Sequence, residues 1–270
     1  MLTTPGSLAG KTAVISGSSA GIGASIAIEL SARGASIVLN YPHAGEDTAC
    51  VEVGQRCKSP WIAVCADLST KEGPEALIRA AVGRFGVIDI LVNNAAIVPH
   101  FPTWDLAVET WDETFRLNAR GTFLLTKAAL PHLTPYDPTT KSRLSGNKKG
   151  ARIICIGSGS SRLPQPELLA YSASKGALDP MVKVWAKELP PKYGCTVNCV
   201  APGPVNTETF RKGAAEHLDT ILAGFSRETP CEGAVADPGD IAWTVAWLAE
   251  ENSRWINGQC IAVNGGLSML

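Results

Sequence analysis

Lys11-Thr12-Ala13-Val14-Ile15-Ser16-Gly17-Ser18-Ser19-Ala20-Gly21-Ile22-Gly23 joins an apolar run to a cluster of glycines. Lys11 to Ser16 reads as a strand. Ile22 to Arg33 reads as a helix, because Ile22, Ile26, Ala27 and Leu30 recur at helical spacing and Gly34 follows as a stop. Glycines let a backbone approach a ligand closely, and a helix start presents free N–H groups to an anion. The spacing G-x-x-x-G-x-G between a strand and a helix therefore predicts a cradle for a pyrophosphate.

Outward from that turn, apolar runs alternate with amphipathic stretches. Ser36–Asn40, Trp61–Cys65, Ile88–Val92, Arg152–Ile156, Thr196–Val200 and Cys260–Val263 read as further strands. They are rich in Val and Ile and do not alternate with polar residues, so both faces are expected to be covered. This predicts a three-layer α/β/α sandwich around a parallel sheet of seven strands. No composition break or internal repeat divides residues 1–270, which are expected to form one domain. Thr134 to Gly150 is the one polar stretch, and Lys141, Arg143, Lys148 and Lys149 within it are expected on a surface loop at the rim opposite the ligand crevice.

Hydrophobic residues make up 45% and charged residues 18% of the chain, which excludes disorder. With 25 acidic and 24 basic residues, net charge −1, there is no electrostatic case for nucleic acid or an acidic membrane. No apolar run approaches the roughly 18 residues that suggest a membrane span. Met1 to Lys11 lacks the pattern of a secretory leader, and Ser268-Met269-Leu270 lacks the basic residue of a peroxisomal signal. The eight cysteines form no C-x-x-C pair and the four histidines have no ligand spacing, so reduced thiols, a cytoplasmic location and no metal are expected.

Tyr171-Ser172-Ala173-Ser174-Lys175 places a phenol and an ammonium four residues apart, on one helix face. A phenol has a pKa of about 10, and a neighbouring cation favours its ionised form. On that spacing Tyr171 is expected to be acidified by Lys175 together with a cationic nicotinamide ring, and to exchange a proton with a carbonyl or alcohol oxygen. Thirteen residues before Tyr171 stands Ser158, directly after the fifth strand. Asn93-Asn94-Ala95-Ala96 follows the fourth strand, Pro202-Gly203-Pro204-Val205-Asn206-Thr207 follows the sixth, and Asn118 lies within a long helix, Val108 to Leu133. Except for Asn118 these lie at strand C-terminal ends, where open α/β sheets bind ligands. Taken singly, Ser158 reads as a turn hydroxyl, Asn118 as a polar helix residue and Asp67 as a helix cap.

With these motifs in this order, the chain resembles the short-chain dehydrogenase/reductase family from about Leu8 to Gly266. The resemblance implies a Rossmann-like fold and a role for each matching residue. Gly17, Ser19, Gly21, Ile22 and Gly23 would form the cofactor turn; Asp67 and Leu68 would meet adenine; Asn93, Asn94 and Ala95 would brace the sheet and the cofactor pocket. Asn118 would hold a relay water, Ser158 would orient the substrate oxygen, Tyr171 would be the acid/base, and Lys175 would hold the nicotinamide ribose. Pro202, Gly203, Val205 and Thr207 would hold the carboxamide. Ser16 in place of the usual Thr, Ala96 in place of Gly, and Asn264 in place of Asp are mild departures.

An acidic residue ending the second strand grips the ribose of NAD, and its absence leaves room for the phosphate of NADP. That position reads as Tyr41, with His43 beyond it, so NADP(H) is favoured and NAD(H) stays open because Glu46 and Asp47 are near. Ile97 to Trp104, Arg162 to Leu169 and Glu208 to Glu232 are the expected substrate loops, the last a lid around 207–232. His100, Phe101, Trp104, Leu163, Phe210 and Phe225 would make a mostly apolar pocket for a medium-to-large ketone. The leading reading is an NADPH-dependent ketoreductase. An NAD-dependent secondary-alcohol dehydrogenase and a non-catalytic dinucleotide sensor are the alternatives. The resemblance also implies a homodimer or homotetramer, built through Val108–Leu133 and Tyr171–Leu189.

Overall fold

The computed structural model describes residues 6–136, 139, 150–213, 218–233 and 235–269. The four basic residues of the 134–150 stretch lie outside these. Seven strands, β1 (Thr12–Ile15), β2 (Ser36–Tyr41), β3 (Trp61–Cys65), β4 (Ile90–Asn93), β5 (Arg152–Ile156), β6 (Thr196–Pro202) and β7 (Cys260–Val263), pair in parallel in the order β3-β2-β1-β4-β5-β6-β7. The order reverses between β1 and β4, which opens a crevice beyond their C-terminal ends.

Side chains of successive strand residues point to opposite faces. Ala13, Ile15, Ile37, Leu39, Ile90 and Val92 enter one apolar cluster, whereas Val14, Val38, Leu91, Ile153 and Val197 enter the other. The first is covered by α1 (Gly21–Ala32), α2 (Asp47–Arg56) and α11 (Pro238–Ala249). The second is covered by α3 (Glu72–Phe85), α5 (Thr122–Ala129) and α7 (Leu178–Glu188). Both faces being dry explains why these strands read as unbroken apolar runs. The remaining helices are α4 (Val108–Phe115), α6 (Leu169–Gly176), α8 (Pro190–Tyr193), α9 (Glu208–Gly213) and α10 (Leu218–Glu228). No helix among the described residues is long and apolar enough to cross a membrane.

Several element boundaries differ from the sequence reading, and three of them bear on the site. β4 starts at Ile90, and just before it the Asp89 carboxylate accepts from Lys11 Nζ at 2.6 Å and from the Thr12 amide at 2.9 Å. β6 runs on to Pro202, carried by pairing with β7. The long helix is interrupted: α4 passes into a π-helical turn over Arg116–Gly121 before α5 resumes, and a short 3₁₀ turn ends the stretch at His132. Asn118 sits in that π turn, a distortion that helices often carry at functional sites.

Candidate active site

The ends of β1 and β4 are clamped by short polar side chains. Ser16 Oγ donates to the Val92 carbonyl at 3.2 Å and accepts from the amides of Asn94 at 2.8 Å and Ala95 at 3.0 Å. The Asn94 amide group donates to the carbonyls of Ser16 and Gly17, both at 2.9 Å. Asn40, at the end of β2, accepts from the Gly17 amide at 3.0 Å and donates to the Ala66 carbonyl at 2.9 Å. Asn40 was not singled out in the sequence; a polar residue ending the apolar run Ser36–Asn40 was the available signal.

Within the turn, Gly17 and Gly21 have φ of 59° and 55°, in the left-handed region that favours glycine. Gly23 is required for a different reason. A Cβ there would lie 2.3 Å from the Gly17 carbonyl oxygen and 2.5 Å from Asn94 Nδ2. Gly23→Ala is therefore expected to cost about 1–3 kcal/mol through overpacking. It should weaken dinucleotide binding in the same step; thermal melting and cofactor titration of the variant check this.

These elements line one cleft of about 1710 Å³ that runs from His43, Glu46 and Asp67 past the glycine turn to Ser158, Tyr171 and Lys175. Ser19, Gly21, Ile22, Leu68, Asn94, Ala95, Pro202, Gly203, Val205 and Thr207 line it as well. Asp67 accepts from the Ser69 amide at 2.9 Å, as a cap would, while facing the cleft. Thr207 accepts from the Phe210 amide at 3.1 Å and starts α9.

At the inner end, Ser158 Oγ accepts from the Ser160 amide at 3.1 Å. Lys175 is 4% exposed, and its Nζ donates to the Ile156 carbonyl at 2.7 Å and lies 5.9 Å from the centre of the Tyr171 ring. Burial pulls Lys175 down to about 8. Burial also pushes the Tyr171 phenol up, opposed by a hydrogen bond with Ser158. In the free protein Lys175 is not among the groups that shift Tyr171. Loss of water is the largest influence on both groups.

Four further predicted groups take the following positions. Tyr41 does not line the cleft; its ring packs on the apolar cluster under α1, and Asn40, Pro42 and His43 occupy that end instead. Asn93 braces the sheet but not the cleft: its amide donates to Thr126 Oγ1 at 3.0 Å, among buried residues. Asn118 is fully buried, and its side-chain amide donates to the Ile97 carbonyl and to Ser174 Oγ, both at 3.0 Å. Its Oδ1 accepts from the Ile97 amide at 2.9 Å. The side chain is spent on fixing the loop after β4 against α6, and does not open into the cleft. Finally, His100, Leu163, Phe210 and Phe225 line the outer cleft, but Phe101 and Trp104 do not, and Trp104 is 85% exposed. Charged groups missed from the sequence share that wall: Glu113, Arg116, Glu167 and Lys212. Glu167 has φ of 66°, and its carbonyl accepts from the Phe101 amide at 2.9 Å, tying the segments 97–104 and 162–169 together.

The sequence profile described as enoyl-(acyl carrier protein) reductase matches residues 17–268. A short-chain dehydrogenase/reductase of Cladobotryum sp, FrzI, is 39% identical over 98% of this chain and 99% of its own length. The chain belongs to the short-chain dehydrogenase/reductase family. It is an oxidoreductase of that family, with the reductase-named relatives and the fold in agreement. The hydroxynaphthalene reductase of Aspergillus fumigatus is 32% identical over 93% of this chain and 90% of its own. Among solved structures, a short-chain dehydrogenase from Burkholderia cenocepacia in complex with NADP superimposes with a TM-score of 0.81. That structure shows 30% identity and covers 96% of this chain and 98% of the other.

Proposed function

We propose that this protein is an NADPH-dependent ketoreductase acting on a medium-to-large hydrophobic ketone, cyclic or aromatic. One observation carries the reading: Ser158, Tyr171 and Lys175 meet in the same cleft as the glycine turn. A dinucleotide fits that cleft on the chain's own terms. Helix α1 begins after Ala20, which supplies no side-chain cap, and has no acid in its first turn. Its N–H groups and positive end therefore serve an anion. Gly17, Ser19, Gly21, Ile22 and Gly23 would hold the pyrophosphate, Asp67 and Leu68 the adenine, Asn94 and Ala95 the cofactor's middle, and Pro202, Gly203, Val205 and Thr207 the carboxamide. Lys175 would hold the ribose hydroxyls. Bound NADPH supplies the hydride.

The chain's residues handle the oxygen. Ser158 donates a hydrogen bond to the substrate carbonyl and fixes its position. Tyr171, protonated in its buried setting, gives its proton to that oxygen as it becomes an alcohol. Asn118 acts at one remove, holding the loop after β4 and the helix that carries Tyr171 in register.

NADP over NAD is supported by the end of β2, where no carboxylate stands on the strand, His43 faces the cleft, and Asn40 is engaged with the glycine turn. The NADP named for the similar Burkholderia structure agrees. Glu46 also lines that end and favours the alternative, an NAD-dependent alcohol dehydrogenase. The relative named a hydroxynaphthalene reductase supports an aromatic or cyclic substrate. The chain works in this reading as a single catalytic unit; of the lid read over 207–232, residues 207–213 and 218–232 lie among the described residues, and Thr209, Phe210, Ile221 and Phe225 line the outer cleft. It pairs with further copies through its long helices, on which Val108, Phe123 and Val184 stay exposed. A panel of ketones run with NADPH and with NADH tests it by nicotinamide absorbance. Bulky cyclic ketones with NADPH are expected to react fastest; faster turnover of small polar ketones, or of any ketone with NADH, would overturn the corresponding part.

A further inference from the structure

Three thiols stand in a row across the sheet, and the chemistry above uses none of them. Cys155 on β5 is the register partner of Cys199 on β6, which is in turn the partner of Cys260 on β7. Register partners in a parallel sheet point to the same face, and all three lie on the face covered by α7.

The inner end of the row lies under the active site. Cys199 is buried, and a Cβ built on Gly157 would sit 2.6 Å from its sulfur. Gly157 directly precedes Ser158. Lys175 is close enough to feel the charge of both Cys199 and Cys155. The outer end is open: β7 is the edge strand, and Cys260 is half-buried there. Around Cys260 stand Arg162, Asp179 and Lys183, with Asp179 accepting from Arg162 at 3.0 Å and from Lys183 at 2.8 Å. The neighbouring Cys199 thiol is the largest influence on Cys260 and holds it below the usual thiol range; burial and Asp179 act against it, and Arg162 and Lys183 act with it.

We propose that Cys260 and Cys199 form an oxidant-sensitive dithiol whose disulfide reversibly lowers activity. Neighbouring strands lie about 4.7–4.9 Å apart, inside the Cα separation of roughly 4.4–6.8 Å that disulfides use. With hydrogen peroxide as oxidant, the Cys260 sulfur attacks the O–O bond; an S–O bond forms, the O–O bond breaks, and water leaves with the thiol proton. The Cys199 sulfur then attacks the sulfenic sulfur; an S–S bond forms, the S–O bond breaks, and a second water leaves with the Cys199 proton. Two thiols lose two electrons in all and the peroxide gains them. The bridge draws the Cys199 sulfur toward the edge, away from the backbone of Gly157 and from Lys175.

The test treats the full chain with hydrogen peroxide, then dithiothreitol, following ketone reduction and the non-reduced peptide map. The parent is expected to yield a peptide linked through Cys199 and Cys260 and to lose most of its activity, regaining it on reduction. Cys260→Ser and Cys260→Ala should keep their activity under peroxide. A Cys65→Ser, Cys231→Ser double variant, which lacks the two exposed thiols, should be inactivated like the parent. The proposal is overturned if the oxidised parent lacks the linked peptide, if Cys199 pairs with Cys155 instead, or if the Cys260 variants are inactivated as fast as the parent. The peptide map is read without turnover, so it fails or succeeds separately from the ketoreductase reading.

Discussion

Tyr171→Phe is expected to lower the rate of ketone reduction by about 10²–10⁴-fold, the usual contribution of a positioned proton donor. The substitution deletes one oxygen and keeps the ring, so NADPH affinity and melting temperature should stay close to the parent's. The pH dependence follows from the direction of the shift. Burial raises the phenol above its ordinary value of 10.0. At neutral pH it therefore carries the proton that reduction consumes, and the reduction rate should fall only as pH rises through the phenol's pKa. Oxidation of the alcohol needs the phenolate and should rise over the same range. Single-turnover absorbance measurements in both directions, with and without the hydroxyl, check the sign. Reduction by the variant at the parent rate would remove Tyr171 from the chemistry.

That direction could not be read from the sequence. Spacing of four residues puts Tyr171 and Lys175 on one face, and the structure brings both to one cleft. Whether the ammonium or the loss of water dominates depends on what other elements cover the pair, and residue spacing carries no information about that. The same division runs through the rest of the molecule. The strands were legible because each is buried on two faces and so lacks polar alternation. The glycine turn was legible because its constraints are local: two left-handed φ values and one position with no room for a Cβ. The π turn at Arg116–Gly121 was not, because a helical pattern looks the same with or without it. The fate of Asn118 was hidden for a related reason: its partners Ile97 and Ser174 are distant in sequence. Tyr41 and Trp104 were misplaced because side-chain direction at a strand end or in a loop is set by neighbours that periodicity does not report. The charged wall of Glu113, Arg116, Glu167 and Lys212 lies on three separate segments that only the fold assembles.

Lys175→Met is expected to abolish most reduction while leaving the protein at least as stable as its parent at neutral pH. Lys175 is buried with no carboxylate in ion-pair contact among the described residues; its one hydrogen bond goes to the Ile156 carbonyl. Burial lowers it from 10.5 to about 8, a penalty on the charged form of about 3 kcal/mol. Below about pH 8 the amine is charged in both folded and unfolded chains, so the parent bears the whole penalty. As pH rises from about 8 to 10.5 the unfolded chain holds its proton longer than the folded one, and the parent gains stability through that window. Methionine fills similar space without a charge, at the cost of leaving the Ile156 carbonyl without this donor, about 1–3 kcal/mol. The stability advantage of the variant, read by urea unfolding, should therefore be largest below pH 8 and shrink toward pH 10.5. A parent that is several kcal/mol more stable than the variant at pH 7 would instead make Lys175 a structural brace. A lysine that destabilises the free fold is retained for what it does when the cleft is filled: in the proposed reading its charge faces the ribose hydroxyls of the cofactor.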